Sequence, residues 1–393
     1  MSILVLNTGS SSLKFSRFDA GAREPSVSGQ VDWRGQGRPA ELIFREGDGP
    51  DRRSPCEARD PAAAADLAIR AVSESGAEIA AIGHRIVHGG SRFRESVRVD
   101  GAVEAEIGKL IELAPLHNPP ALAALAAARR ARPDAAQVAV FDTTFFAAMP
   151  RSAAVYPVPR AWSDDWGIRR FGFHGISHDY CSGRAAEILG HDRRSLRLVV
   201  CHLGNGASAA AVRDGVGVDT TLGFNPLTGL LMGTRSGSVD PGILLYLMRE
   251  KGQTADAIDD ALNHASGLLG VSGVSGDYRE VEQAADRGDD RARLALEIYA
   301  ARVRSAIGAH AATLSGLDAL VFAAGVGENS ASLRSAVCEN LAFLGVRLDP
   351  AKNDAHPRDA DIAAADSPIR VLVIHTREDL LIAREVRRLA TPG

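Results

Sequence analysis

Two arginines stand on tight, glycine-flanked segments of this chain. Arg85 lies in Gly83-His84-Arg85-Ile86-Val87-His88-Gly89-Gly90, and Arg235 in Met232-Gly233-Thr234-Arg235-Ser236-Gly237-Ser238. A guanidinium is a planar fork of donors that matches phosphate oxygens, although an ion pair between domains would use the same residue type. Asp142 and Glu378 are the best acidic candidates. Beside phosphates such carboxylates hold Mg²⁺, which takes one or two carboxylates, substrate phosphates and water; a buried Asp that caps a helix is the competing picture. His174 and His178 have the i, i+4 spacing of a metal pair. No Glu lies between them, and Gly175 weakens a helix there, so we set the metal reading aside. For His117, in Pro115-Leu116-His117-Asn118-Pro119-Pro120, a core histidine is the competing reading.

Five segments repeat one plan, a short apolar strand ending in a glycine-rich or polar turn: Asn7 to Lys14, Arg85 to Gly90, Phe141 to Thr143, His202 to Gly206 and Gly325 to Asn329. Glycines let backbone amides approach phosphate closely, and successive amides in a turn make an anion-binding concavity. Any one of these turns could be structural. Lys14 adds a mobile cation to the first of them, and it is one of only four lysines against a background of arginine.

Periodicity supplies the elements that must position these groups. Residues 1–20 read as a hairpin, residues 35–60 as loops or edge strands, and residues 61–76 as a helix. Strands are expected at Ala80 to Val87 and Val138 to Phe141. Ala- and Leu-rich helices are expected over 102–132, interrupted from Pro115 to Pro120. A second cycle opens at Leu198, where a strand, the turn His202-Leu203-Gly204-Asn205-Gly206 and an apolar return to Val212 repeat the opening plan. Leu317 to Ala324 then runs into Gly325-Val326-Gly327-Glu328-Asn329, as the earlier strand runs into Asp142. A last strand, Arg370 to His375, leads to Glu378 and a closing helix. The repeat predicts two similar α/β lobes facing one another.

Composition narrows the function classes. The 393 residues predict two or three domains, and 45% hydrophobic and 24% charged residues fit an ordinary globular protein. A net charge of −4 gives nucleic-acid binding no support. No apolar run is long enough to span a bilayer, and the start of the chain lacks a signal-peptide layout. Four scattered cysteines, Cys56, Cys181, Cys201 and Cys338, fit a reducing compartment. The expectation is a cytoplasmic protein.

Together the motifs resemble the acetate/propionate kinase family, almost from end to end. The resemblance rests on LVLNTGSSSLKF at 4–15, GHRIVHGG at 83–90, APLHNPP at 114–120, FDTTF at 141–145, RRFGFHGISH at 169–178, HLGNG at 202–206, PLTGLLMGTRSGSVDPG at 226–242, SGVSGDYRE at 272–280 and AAGVGENS at 323–330. It implies reversible phosphoryl transfer between ATP and a small carboxylate, giving ADP and an acyl phosphate. It also implies a homodimer, and two similar ribonuclease-H-like lobes of the actin, sugar kinase and heat-shock ATPase type around a nucleotide cleft. The lobes would be 1–145, completed by the C-terminal helix 379–393, and 146–378, which carries the nucleotide-binding turns.

By the same resemblance Asn7 and Glu378 would hold Mg²⁺ (Mn²⁺ being the alternative), and Lys14 would lie near the phosphates. Arg85 and Arg235 would flank the transferred group, His174 would donate a hydrogen bond to it, and Asp142 would organise the site. His202, Leu203, Gly204, Asn205 and Gly206 would bind ATP, as would Asp277, Tyr278 and Arg279 and also Gly325, Val326, Gly327, Glu328 and Asn329. Val87, Leu116, Phe173 and Pro226 would form the acyl pocket, with His117 as a further polar wall. Two positions depart from the family pattern, Arg377 before Glu378 and Ala121 after Pro120, where Asn is common.

Acetate is ionised at pH 7, since carboxyl groups titrate around ~4, so the nucleophile needs no general base. Three rivals remain in view. Propionate kinase differs by one methylene. A non-catalytic ATP-binding module of the same fold would not need paired arginines beside an apolar pocket. A dinucleotide-binding dehydrogenase lacks its Gly-x-Gly-x-x-Gly turn here.

Overall fold

The structure is a computed structural model, and it describes residues 1–9, 11–33, 39–76, 78–355 and 357–390. Ser10 of the first turn and residues 35–38 of the polar stretch fall outside the described residues. The chain divides into two compact units, Met1–Ala147 with Arg377–Gly393, and Ala148–Thr376.

In the first unit the strands are β1 Ile3–Thr8, β2 Ser12–Phe18, β3 Val27–Asp32, β4 Ala40–Glu46, β5 Arg52–Cys56, β6 Ala81–Ile86, β7 Val97–Arg98 and β8 Ala136–Phe141. They form one sheet in the order β5-β4-β3-β2-β1-β6-β8-β7. β1, β2 and β3 are an antiparallel meander, whereas β1, β6 and β8 run parallel. In the second unit β9 Leu198–Leu203, β10 Ala207–Arg213, β11 Val216–Thr220, β12 Ala319–Ala323, β13 Ala360–Asp361 and β14 Arg370–Ile374 take the order β11-β10-β9-β12-β14-β13. Here β9, β10 and β11 are the meander, and β9, β12 and β14 run parallel. The shared plan is a three-strand meander whose first strand also pairs with two later parallel strands. That is the ribonuclease-H-like arrangement, present once in each unit, and it accounts for the repeat read in the sequence.

Side-chain alternation decides which residues reach which face of a sheet. Leu4, Leu6, Leu13, Phe15 and Ile82 belong to one apolar core, closed by the helices Pro61–Glu74 and Asn118–Ala131. The intervening residues point to the opposite face. There the backbone at Gly83 lies against the helix Glu378–Ala390, so closely that an added Cβ would stand 2.6 Å from Ile382 and Val386. Asn7 and Arg85 share that face, two residues beyond Val5 and Gly83, which pair across β1 and β6. The period of two thus delivers both toward the first residue of the closing helix, Glu378.

Several turns are shorter than expected. Asn7 and Thr8 still belong to β1, and His202 and Leu203 to β9, because ladder bonds to the returning strands continue to those positions. The segment 325–329 is not an open turn but part of a helix, Ala324–Asn329. Pro119 and Pro120 sit in the first turn of the helix Asn118–Ala131, where a missing N–H costs nothing, so the interruption spans only 114–117. Ala121 is buried with Ile86, Leu125 and Phe141, where a small apolar residue fits. Among the described residues no helix is long and apolar enough to cross a membrane.

Candidate active site

In the first unit, four predicted residues meet. Arg85 grips Asp142 with both faces of its fork, Nε to Oδ1 at 3.1 Å and Nη2 to Oδ2 at 2.7 Å. Its Nη1 donates to Asn7 Oδ1 at 3.3 Å and lies 3.5 Å from Glu378 Oε2. Asn7 Nδ2 in turn donates to Glu378 Oε2 at 3.3 Å. The Asp142 side chain is 1% exposed, and Arg85 compensates its charge at close range. Burial works against the Arg85 charge, but Asp142 and then Glu378 hold its pKa above the ordinary arginine value. Both ion pairs lie within one unit, so Arg85 is not explained by an interdomain bridge. Lys14 is exposed and stands directly across from Asn7 in the antiparallel register, hence on the same face of the sheet.

Neighbouring segments are tied to this cluster by buried polar bonds. Asn118 accepts from the His88 amide at 3.1 Å and donates to the His88 carbonyl at 3.0 Å. That double bond joins the segment carrying Val87 to the one carrying Leu116 and His117. Val87 and His117 are half-buried, and Leu116 is 47% exposed. Thr143 Oγ1 accepts from the Gly89 amide at 3.1 Å, tying the loop after β6 to the end of β8. The sequence offered no signal for Asn118 or Thr143 beyond their place inside the motifs.

Arg377 does not reach the Asn7–Glu378 pair. Its guanidinium donates to both Glu24 oxygens, at 2.8 and 3.0 Å, and to Asp379 at 3.2 Å. The departure from the family pattern therefore pairs with Glu24 and Asp379, whereas Asn7 and Arg85 contact the Glu378 carboxylate.

The second unit assembles a separate set. His174 stands at a left-handed backbone angle, φ 56°, just before the helix Gly175–Leu189. Such an angle is costly for a non-glycine residue and clusters at functional sites. The rings of His174 and His202 are stacked with centroids 4.3 Å apart. Ser208, opposite His202 in the β9–β10 ladder, bonds His174 Nδ1 at 2.9 Å and His178 Nε2 at 2.8 Å. Ser177 bonds His202 Nδ1 at 2.7 Å and Thr376 Oγ1 at 2.8 Å. Burial, then the neighbouring His202 and His310, push His178 well below the usual histidine range. The two histidines of the i, i+4 pair thus converge on a hydroxyl. Ser208 was missed in the sequence because its partners lie 34 and 30 residues away.

Arg235 belongs to this set. Its Nη1 donates to the Pro226 carbonyl at 2.7 Å, and burial lowers its pKa. Among the described residues no carboxylate lies within ion-pair distance of it. A Cβ built on Gly206 would be 3.3 Å from His174 Nε2 and 3.9 Å from Arg235 Nη2. Glycine there leaves open a space that both donors border. Gly233 donates to the Asn205 carbonyl at 3.0 Å, which fixes the loop carrying Arg235 to the turn Gly204-Asn205-Gly206, and Ser266 donates to the Thr234 carbonyl at 2.9 Å, which holds the loop from its other side.

The remaining predicted nucleotide residues sit around this turn with mixed exposure. Gly204 lies near Ala324, and Gly327 near Leu203. Ala324 has φ 64°, a second non-glycine residue in the left-handed region. Gly325 and Asn329 are exposed and joined by an Asn329 Nδ2 bond to the Gly325 carbonyl at 2.8 Å, and Val326 is half-buried. The Glu328 carboxylate accepts from the Thr376 amide at 3.2 Å and pairs with His375 at 2.6 Å, so it secures the end of β14. Asp277 caps the helix Tyr278–Asp286 and pairs with Arg279 at 2.6 Å. Tyr278 is 6% exposed and packs edge-on against Tyr299 at 5.4 Å. Burial pushes its hydroxyl up to about 12. Its ring is a core element, and only its backbone and the flanking Asp277 and Arg279 remain for a ligand. Phe173 is likewise 1% exposed, whereas Pro226 is half-buried.

Comparison with known proteins bears on both sets. Residues 2–384 match the acetokinase family. An acetate kinase of Gloeobacter violaceus is 51% identical, over 98% of both chains. Among solved structures, an acetate kinase of Porphyromonas gingivalis superposes with a TM-score of 0.92 at 39% identity, over 99% of this chain and 100% of that one. A propionate kinase of Francisella tularensis gives 0.93 at 38% identity, over 99% of each. With the family's motifs spread over both units and a match over nearly its whole length, this chain belongs to the acetokinase family.

Proposed function

We infer that the chain transfers the γ-phosphoryl group of ATP reversibly to acetate, giving acetyl phosphate and ADP. The observation that carries the reading is Arg235, a half-buried guanidinium with a carbonyl partner and no carboxylate among the described residues. It borders the same space as His174 Nε2. A buried cation without an anion is costly, and a transferring phosphoryl group is the anion that would offset it.

Catalysis in this reading is placement and charge neutralisation. Acetate attacks as its carboxylate and no proton is removed. Arg235 and His174 donate to the transferring oxygens. Arg85, locked by Asp142, supplies positive charge for the acyl and phosphoryl groups. Lys14, on the face of Asn7, attracts the polyphosphate. The turn 204–206, with Asp277, Arg279 and the segment 325–329, holds the nucleotide. By the family's motifs Val87, Leu116, Phe173 and Pro226 are the residues proposed to contact the methyl group. Asn7 and Glu378 offer an amide oxygen and a carboxylate side by side, hard donors that fit Mg²⁺ or Mn²⁺. When bound there, the ion supplies further neutralisation of the phosphate oxygens.

Trapping the acyl phosphate with hydroxylamine tests this reading. ATP and acetate should yield hydroxamate only when a divalent cation is present. Propionate should follow with kcat/KM roughly tenfold lower and butyrate lower again, since a methylene is worth ~1–3 kcal/mol in an apolar pocket. A preference for propionate would move the assignment to the sister activity. ATP binding with no hydroxamate from any acid would leave a non-catalytic nucleotide module.

A homodimer is part of the same proposal. The helix Pro241–Glu250 buries none of its side chains, and Ile243, Leu245, Tyr246 and Met248 are each about half exposed. So much exposed apolar surface on one helix marks a protein contact, and a second copy of the chain is the occupant we propose. Sedimentation should give twice the 41.4 kDa chain mass, and Leu245→Asp with Tyr246→Asp should halve it. A monomeric wild type would refute the dimer. The four cysteines are free thiols, which supports a reducing, cytoplasmic setting.

A further inference from the structure

We propose that Ser208 is a positioning residue that sets the tautomer of His174, so that the His174 Nε2–H points outward as a donor. The proposal rests on the reading of His174 as a donor to the transferred phosphoryl group.

Ser208 Oγ carries one proton and two lone pairs. It is bonded at once to His174 Nδ1, at 2.9 Å, and to His178 Nε2, at 2.8 Å. Its single proton can serve only one ring, so the other ring must donate to it. The two imidazoles are therefore not independent. In one arrangement His178 Nε2–H donates to Ser208, and Ser208 O–H donates to His174 Nδ1. The proton of a neutral His174 is then on Nε2, the atom that faces the space beside Gly206 and Arg235. In the reverse arrangement His174 Nδ1–H donates to Ser208, and a neutral His174 presents a bare lone pair to an anion.

Only the first arrangement suits phosphoryl transfer. His178 can hold its end of the relay because it is fully buried and stays neutral. Ser208 is itself fully buried on β10, so solvent does not compete for its hydroxyl. The left-handed backbone at His174 fixes the ring where the relay reaches it. No proton is transferred in the reaction; the relay holds one in place.

The test uses full-length protein labelled with ¹⁵N-histidine, with the His174 signals assigned by their loss in His174→Gln. Long-range ¹H–¹⁵N correlation should show wild-type His174 protonated at Nε2 and bare at Nδ1. Ser208→Ala should give a mixture of tautomers and lower kcat by about 10- to 100-fold, with KM for ATP and acetate within about twofold. Ser208→Thr, which restores the hydroxyl, should recover most of the rate. Wild-type His174 protonated at Nδ1, or at both nitrogens, would overturn the proposal without reference to any variant. So would a Ser208→Ala enzyme with unchanged tautomer and rate. A His174→Ala enzyme with wild-type kcat would instead overturn the donor role beneath it, whatever the spectrum shows.

Discussion

Replacing Arg235 by leucine is expected to lower kcat by about 10³-fold or more while leaving the thermal midpoint unchanged or slightly higher. The two effects part company for a physical reason. A charge clamp on a transferring phosphoryl group is worth 10³ or more in rate. In the free protein, however, that guanidinium is half-buried against the Pro226 carbonyl, with no carboxylate beside it among the described residues. Removing it relieves a desolvation cost, and leucine fills part of the volume with apolar atoms. The measurement is a thermal melt beside steady-state kinetics on the same preparation. A folded Arg235→Leu enzyme with near-normal kcat would remove Arg235 from the reaction. A melt lowered by many degrees would mean that its main role is structural.

Arg85→Ala is expected to be equally poor as a catalyst but clearly less stable. Reading the sequence alone, both arginines would be expected to be dispensable for folding. The structure changes that for Arg85, because its loss removes the guanidinium that grips both oxygens of Asp142, a carboxylate 1% exposed. Breaking a buried pair from one side costs about 3–5 kcal/mol, which for a unit of this size shifts the melt on the order of 10 °C. Adding Asp142→Asn to Arg85→Met should recover much of that loss, since the buried charge is gone, and should recover none of the activity. Additive losses in the double variant would show that the pair is not the coupled unit described here. Full activity in the double variant would exclude both residues from the chemistry.

Much of the site was legible in the order of residues. Glycine-rich segments at strand ends, arginines within them and a second cycle of the same plan are local patterns, and local patterns follow from backbone sterics and side-chain alternation. The turn bounds were less legible. Ladder bonds carry β1 and β9 one or two residues further than the polar residue types suggest, and a helix forms directly at Ala324. The resemblance places Tyr278 with Asp277 and Arg279 among the ATP-binding residues; its ring packs on Tyr299, because an aromatic ring gains by burial in the adjoining core.

Alone, the sequence determined which groups could act on a polyanion and which strands would carry them, since both depend on residue type and on spacings of a few positions. Only the tertiary structure decided which cation is already neutralised. Arg85 meets Asp142 across 57 residues, Asn7 meets Glu378 across 371, and Arg235, among the described residues, finds a carbonyl and no carboxylate. It also decided that His174 and His178 share the hydroxyl of Ser208. Strand register and the seating of the closing helix bring such partners together. No local spacing encodes an electrostatic balance among groups so far apart along the chain.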